Sequence, residues 1–191
     1  MILFKAEDRQ MMVNGQTILS TVNAFKLAKQ AAVKILADHG LSDVKEREWY
    51  PQQAWLDAFK EIAEKMGDVT LLQIGKKIPE SAKFPPEIND THKALAAIDV
   101  AYHMNHGKNG VPLFDPRTGT MKEGIGHYKY ERSSEKEARV VCDNPYPDAF
   151  DRGIIQTMAE KFAKDVTVRI DESKGTRTKG RLSTTYIITW S

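Results

Sequence analysis

The residues best equipped for chemistry lie between positions 91 and 142. His92, Asp99, His103 and His106 fall on one stripe of an expected helix, at i, i+7, i+11 and i+14. Asp99, His103 and His106, at i, i+4 and i+7, have a spacing that can turn a carboxylate and two imidazoles toward one metal ion. The same spacing describes a solvated face opposite an apolar stripe of Leu95, Ile98 and Tyr102, and on that reading no metal is expected. His127 falls in an expected strand with no carboxylate partner evident in the sequence. The single cysteine, Cys142, shares a strand face with Ala138 and Val140. It reads as a small buried hydrophobe, because a nucleophile would need a depressed pKa and a nearby base. The densest basic run, Lys174 to Arg181, lacks the arrangement of a phosphate loop and reads as a solvated hairpin turn. Gly124-Ile125-Gly126 lacks the third glycine of a dinucleotide fingerprint. There is no Ser-His-Asp order and no HExxH pair, so a binding role is expected over an enzymatic one.

Amphipathic side chains are more suggestive. Trp55, Phe59, Tyr102, Met104, Tyr128 and Tyr130 recur on expected helices and strands beyond simple core needs. A pocket lined by these six between helices and sheet would suit an apolar or aromatic ligand. Aromatic rings supply large apolar area, and a few hydroxyls orient the guest.

The elements that must position these residues follow from periodicity. After a short strand-like start and the turn Asn14-Gly15, Ser20 or Thr21 can cap a helix ending at Gly40, with Phe25, Ala28, Ala32, Ile35 and Leu36 on its apolar stripe. Pro51 suits a first helical turn before Trp55, Phe59, Ile62 and Met66. Gly67-Asp68 closes that helix, and Asp68 opens a shorter one with Leu71, Leu72 and Ile74. Pro79 and Pro85-Pro86 force an extended passage, and Asp90 or Thr91 caps a helix to about Asn105.

Beyond Gly107 the period changes. Strands are expected near 125–132 and 137–143, then a helix capped by Asp148 with Phe150, Ile154, Met158 and Phe162 inward. Two strands finish the chain, one alternating Val166, Val168 and Ile170, the other placing Leu182, Thr184, Tyr186, Ile188 and Trp190 on one face. The predicted fold is α+β: a helical N-terminal half (about 16–106) packed on an antiparallel sheet of two hairpins with a crossover helix (about 111–191), forming one domain over 1–191.

Composition narrows the setting. The chain has 191 residues, 28 Lys+Arg against 26 Asp+Glu, and 41% hydrophobic residues. Balanced charge argues against nucleic-acid binding, which needs clustered cations. One cysteine forms no internal disulfide, no apolar run approaches the ~20 residues of a membrane span, and the first eight residues meet charge too early for a signal peptide. A soluble cytoplasmic protein is expected.

Several stretches carry a resemblance when taken together: Ile74-Gly75-Lys76-Lys77-Ile78-Pro79-Glu80 with Phe84-Pro85-Pro86, Ala101 to His106, Glu123 to Tyr128, Cys142 to Pro147 leading into Phe150 to Ile155, and Thr184 to Trp190. Their order and spacing resemble the bacterial branch of the superfamily that joins haem-nitric-oxide-binding (H-NOX) domains, 4-vinyl-reductase-type ligand-binding domains and TRAPP vesicle-tethering subunits. The resemblance implies an α+β ligand-binding or sensor domain, often dimeric. In the haem branch an axial histidine is followed by a Tyr-x-Ser-x-Arg grip on the propionates. His103 is the counterpart of the histidine, Tyr128 and Arg132 keep the motif spacing, and Tyr130 replaces the serine with a bulkier ring. The other branch carries zinc-binding cysteines, one before the crossover helix and two flanking the last hairpin. Cys142 matches the first, whereas Thr176 and Thr184 stand at the other two positions and cannot supply thiolate, so zinc is not expected.

The resulting expectation is a non-enzymatic sensor-like domain that binds a hydrophobic, aromatic or tetrapyrrole ligand. It would act as a homodimer and signal through a separate partner protein, with no nucleic acid and no membrane span. The alternatives are a homodimeric scaffold without ligand, or a haem-based gas sensor using His103.

Overall fold

The computed structural model describes residues 2–25, 29–80, 82 and 84–191. The chain opens with β1 (Met11–Asn14), whose alternation buries Met11 and Val13. The Asn14 side chain caps α1 (Gly15–Ala24) by accepting from the Thr17 amide at 2.9 Å. The pair Asn14-Gly15 is therefore a strand-to-helix junction rather than a turn, and Ser20 and Thr21 lie inside the helix they were expected to cap. The single helix expected to end at Gly40 is two, α1 and α2 (Lys29–Asp38). Ala32, Ile35 and Leu36 of the expected stripe are buried, while Ala28 lies outside the described residues.

After β2 (Trp49–Pro51) comes α3 (Gln52–Lys77), which breaks at Gly67 where φ is +71°. That left-handed conformation suits glycine and divides the element where Gly67-Asp68 was expected to divide it. Its first half buries Trp55, Phe59 and Ile62, and its second half buries Leu71 and Ile74. The helix α4 (Thr91–Met104) is capped by Asp90, whose side chain accepts from the Lys93 amide at 2.8 Å. Next come the short strands β3 (His106–Lys108), β4 (Val111–Pro112), β5 (Phe114–Asp115) and β6 (Thr120–Met121). The remainder is β7 (Tyr128–Arg132), β8 (Glu137–Cys142), α5 (Asp148–Glu160), β9 (Thr167–Ile170) and β10 (Thr184–Thr189).

The principal sheet is antiparallel in the order β7-β8-β10-β9, so α5 carries the chain over the position that β10 later fills. Tyr128 and Thr184 both face Cys142, and Val140 is flanked by Tyr130 and Tyr186. A second sheet in the order β2-β1-β3-β4 was not expected; it joins the start of the chain to the segment after α4 through three-residue registers. Such short strands carry little period-2 signal. At the chain end Thr184, Tyr186 and Ile188 are buried together, but Leu182 is exposed and precedes β10.

Helix α5 lies against the second half of α3 through two glycines. A Cβ on Gly75 would collide with the Phe150 carbonyl, and one on Gly153 with the Leu72 carbonyl. The backbones thus meet where no side chain fits, which draws Phe150 and Ile154 toward α3 and α4. Phe162, expected on the inner stripe of α5, lies beyond the helix and is exposed.

Candidate functional site

Between α1, α3, α4, α5 and the principal sheet lies a cavity of about 190 Å³. Trp55, Tyr102 and Tyr128 line it together with His106, Tyr146 and Phe150. Polar atoms on this wall are mutually satisfied. Trp55 Nε1 donates to the Tyr146 hydroxyl at 3.2 Å, and His106 Nδ1 donates to the Tyr102 carbonyl at 2.8 Å. His106 Nε2 is then left as an acceptor for the Tyr146 hydroxyl at 2.9 Å. Burial holds His106 neutral by lowering its pKa to about 4, and raises the phenols of Tyr102 and Tyr128. The Tyr102 hydroxyl donates to the Ile125 carbonyl at 2.7 Å, and that of Tyr128 to Asp151. The inner wall therefore offers mainly apolar surface, while Gln16, Thr17 and Asn105 add a polar side.

The other expected lining residues lie elsewhere. Phe59 is buried behind Trp55, stacked at a ring-centroid distance of 5.1 Å. Met104 is 44% exposed at the end of α4. The Tyr130 hydroxyl donates to His92 Nδ1 at 2.7 Å, outside the cavity wall.

The residues of the expected haem grip do not converge either. His103 does not line the cavity, the Tyr128 hydroxyl is engaged by Asp151, and Arg132 is exposed with Nε donating to the Ser134 carbonyl at 3.3 Å. The cavity is also smaller than the roughly 300–1,000 Å³ of ordinary cofactor and drug sites. In this conformation the residues present do not fit haem.

The helical stripe corrects a second expectation. His103 is fully buried and His106 nearly so, and His106 belongs to β3 rather than to α4. The C-terminal part of the stripe is not a solvated face, because His127, at the entry to β7, packs against Asp99 and His103. His127 does have carboxylate partners: Nδ1 lies 3.0 Å from Asp99 Oδ2 and Nε2 lies 2.8 Å from Glu123 Oε2. Burial opposes charge on this imidazole, but the two carboxylates outweigh it and raise its pKa. Asp99 Oδ1 accepts from the Tyr128 amide at 2.9 Å. One signal was available in the sequence: Glu123 and His127 are four residues apart across a glycine-rich turn.

The basic run 174–181 is not simply a solvated hairpin. Arg177 is 3% exposed and lies against the start of α5. Its guanidinium donates to Asp148 Oδ1 at 2.9 Å, to Asp151 Oδ2 at 2.6 Å, and to the Asn144 carbonyl and side-chain oxygens at 2.7 Å each. Thr184 Oγ1 accepts from the Arg177 amide at 2.9 Å and donates to Asp148 at 2.7 Å, while Thr176 accepts from the Lys179 amide. Asp148 is thus the first residue of α5 and an anchor for the hairpin, whereas Pro147 occupies the cap position. The positions at which the resemblance placed zinc cysteines sit around this ionic clasp. Cys142 is buried, free of disulfide, and its thiol pKa is raised by burial. Asp148 and Asp151, three apart on one face of a helix start, were the sequence signal for a buried cation.

No family model and no curated protein matches this chain. Solved structures do match in fold. An H-NOX protein from S. oneidensis in the Fe(II)NO ligation state is similar at a TM-score of 0.62 and 12% identity, over 93% of this chain and 99% of that one. The Fe(II) unliganded H-NOX protein from K. algicida gives 0.59 and 12%, over 93% and 96%. A structure from work probing the function of heme distortion in the H-NOX family gives 0.60 and 15%, over 92% and 94%. The chain therefore has an H-NOX-like α+β fold.

Proposed function

We propose that the chain is a small-molecule-binding, sensor-like domain whose ligand is a compact apolar or aromatic molecule held between helices and sheet. The observation that carries this reading is the cavity bounded by Trp55, Tyr102 and Tyr128, whose inner polar atoms already have partners. Its 190 Å³ compares with the ~150 Å³ of an apolar cavity able to hold benzene, so a ring with small substituents is the expected size. Output passes through a separate signalling protein, and residues 1–191 act as one unit in a homodimer.

The test is thermal stabilisation and native mass spectrometry against a panel of substituted benzenes, phenols and indole. A hit should raise the melting temperature of the parent and lose at least ~10-fold in affinity in Ala101→Phe, which fills the cavity from α4. No stabilisation by any member, or a hit that Ala101→Phe leaves untouched, overturns the reading.

A second reading, a haem-based gas sensor using His103, is supported by the fold shared with H-NOX structures. It requires His103 and Arg132 to leave their present partners. A Soret band after adding haemin, absent in His103→Ala, would favour it over the first.

A further inference from the structure

We propose that Asp99, His103 and His127 form a binding site for one first-row divalent metal ion of the zinc class, with Glu123 supporting His127 from the surface side. The site goes beyond the cavity reading and uses different atoms, since neither histidine lines the cavity.

Convergence is the first argument. One ligand atom from each of Asp99, His103 and His127 lies within 4.8 Å of the others. The two imidazoles face each other with centroids 4.9 Å apart and planes tilted by 32°. Ligands around a tetrahedral Zn²⁺ lie about 3.4 Å apart, so small side-chain rotations close the cluster on an ion.

The second argument is an unpartnered atom. His103 is fully buried, and its Nδ1 lies 2.8 Å from the Asp99 carbonyl. A carbonyl only accepts, so Nδ1 carries the proton, and in the neutral ring Nε2 carries the lone pair. That Nε2 is buried and has no hydrogen-bond partner among the described residues. A buried lone pair without a donor is costly in a folded protein, and a cation is one of the few partners that satisfies it. A backbone carbonyl fixing the other ring nitrogen is also the usual outer support of a metal-bound histidine.

Asp99 and His127 fit the same ion. Asp99 is held in place by the Tyr128 amide, which leaves Oδ2 accepting from His127 Nδ1; an ion entering here replaces that Nδ1 proton and is shared by the two atoms. Glu123 accepts from His127 Nε2, on the far side of the ring from Asp99, so it supports the imidazole from outside, beside a surface hollow that Glu123, His127 and Asp143 help to line. Lys129, the nearby cation, is paired with Asp143 at 2.8 Å, so its charge is offset. Two imidazoles with one carboxylate and no thiolate suit Zn²⁺ and its neighbours rather than Ca²⁺ or Cu⁺. Each histidine is also next in sequence to a cavity tyrosine, His103 after Tyr102 and His127 before Tyr128. An ion here would tie α4 to the entry of β7 and stiffen two cavity walls.

The experiment uses the full chain, stripped with chelator and dialysed, titrated with ZnCl₂ by calorimetry and with CoCl₂ by visible absorption. One equivalent per chain is expected, with Co²⁺ ligand-field bands and a melting temperature raised by roughly 5–10 °C at a hundredfold excess over Kd. His127→Gln should abolish the stoichiometric binding, and Glu123→Gln should weaken it by at least ~10-fold. His39→Gln, which breaks the separate His39–Glu61 pair, should leave it unchanged. Glu123 is exposed, so its variant reports even if His127→Gln does not fold. Absence of saturable binding in the parent, or binding that survives Glu123→Gln unweakened, overturns the proposal.

Discussion

Replacing Arg177 by Met should be among the most damaging single changes in the C-terminal half. The Arg177 side chain is fully buried, and so is that of Asp151, while Asp148 is 9% exposed. Removing the guanidinium strands both carboxylates beside each other and leaves the Asn144 carbonyl without its donor. Breaking a buried pair from one side costs about 3–5 kcal/mol, because desolvated charge is left uncompensated. For a chain of this size each kcal/mol moves the melting temperature by about 2–4 °C, so a fall of roughly 6–20 °C is expected. Urea titration followed by tryptophan fluorescence, with circular dichroism melts, measures it. The double variant Arg177→Met, Asp151→Asn should recover part of the loss, since it removes one stranded charge, whereas independent effects would simply add. A loss below about 1 kcal/mol, the value of an exposed ion pair, would refute the buried clasp and restore the solvated hairpin.

Two further outcomes follow from the same geometry. Gly153→Ala should destabilise the fold by about 1–3 kcal/mol, because its methyl meets the Leu72 carbonyl at the α3–α5 contact; a melting temperature equal to the parent's would show that the helices can separate at no cost. Asp148 is held below the ordinary carboxylate pKa: burial opposes this, but hydrogen bonds from Thr178 and Thr184 and the Arg177 charge prevail. A carboxylate whose folded pKa lies below its unfolded value of 3.8 adds stability that is full above that value and is lost as pH falls through the folded one. The stability difference between parent and Asp148→Asn should accordingly shrink below about pH 4, and urea midpoints from pH 7 to pH 2 that stay parallel would contradict it.

Much of the architecture was legible because it rests on local rules. The break at Gly67, the Asp90 cap, the β7–β8 hairpin and the inward stripe Phe150, Ile154 and Met158 all follow from period, caps and glycine placement. The split between α1 and α2 was not legible, because Ser20 and Thr21 look like caps while Asn14, next to a glycine, looks like a turn. The second sheet was missed because its strands are two to four residues long and gain their pairing only when Met11 meets Lys108 across almost a hundred residues of chain.

Side-chain chemistry was decided still further from the sequence. Aromatic residues at 55, 102 and 128 could be named as pocket formers, but only the packing of α3, α4 and the sheet turned them to one cavity and sent Met104 outward and Tyr130 toward His92. The sequence by itself determined the helix and strand periods, the single cysteine, and the absence of hairpin thiolates at Thr176 and Thr184. Tertiary structure alone decided that Arg177 clasps Asp148 and Asp151 at these positions, and that His127 meets Asp99 and His103. The reason is physical: periodicity assigns a side chain to a face, whereas desolvation and charge pairing depend on what the rest of the chain brings to that face.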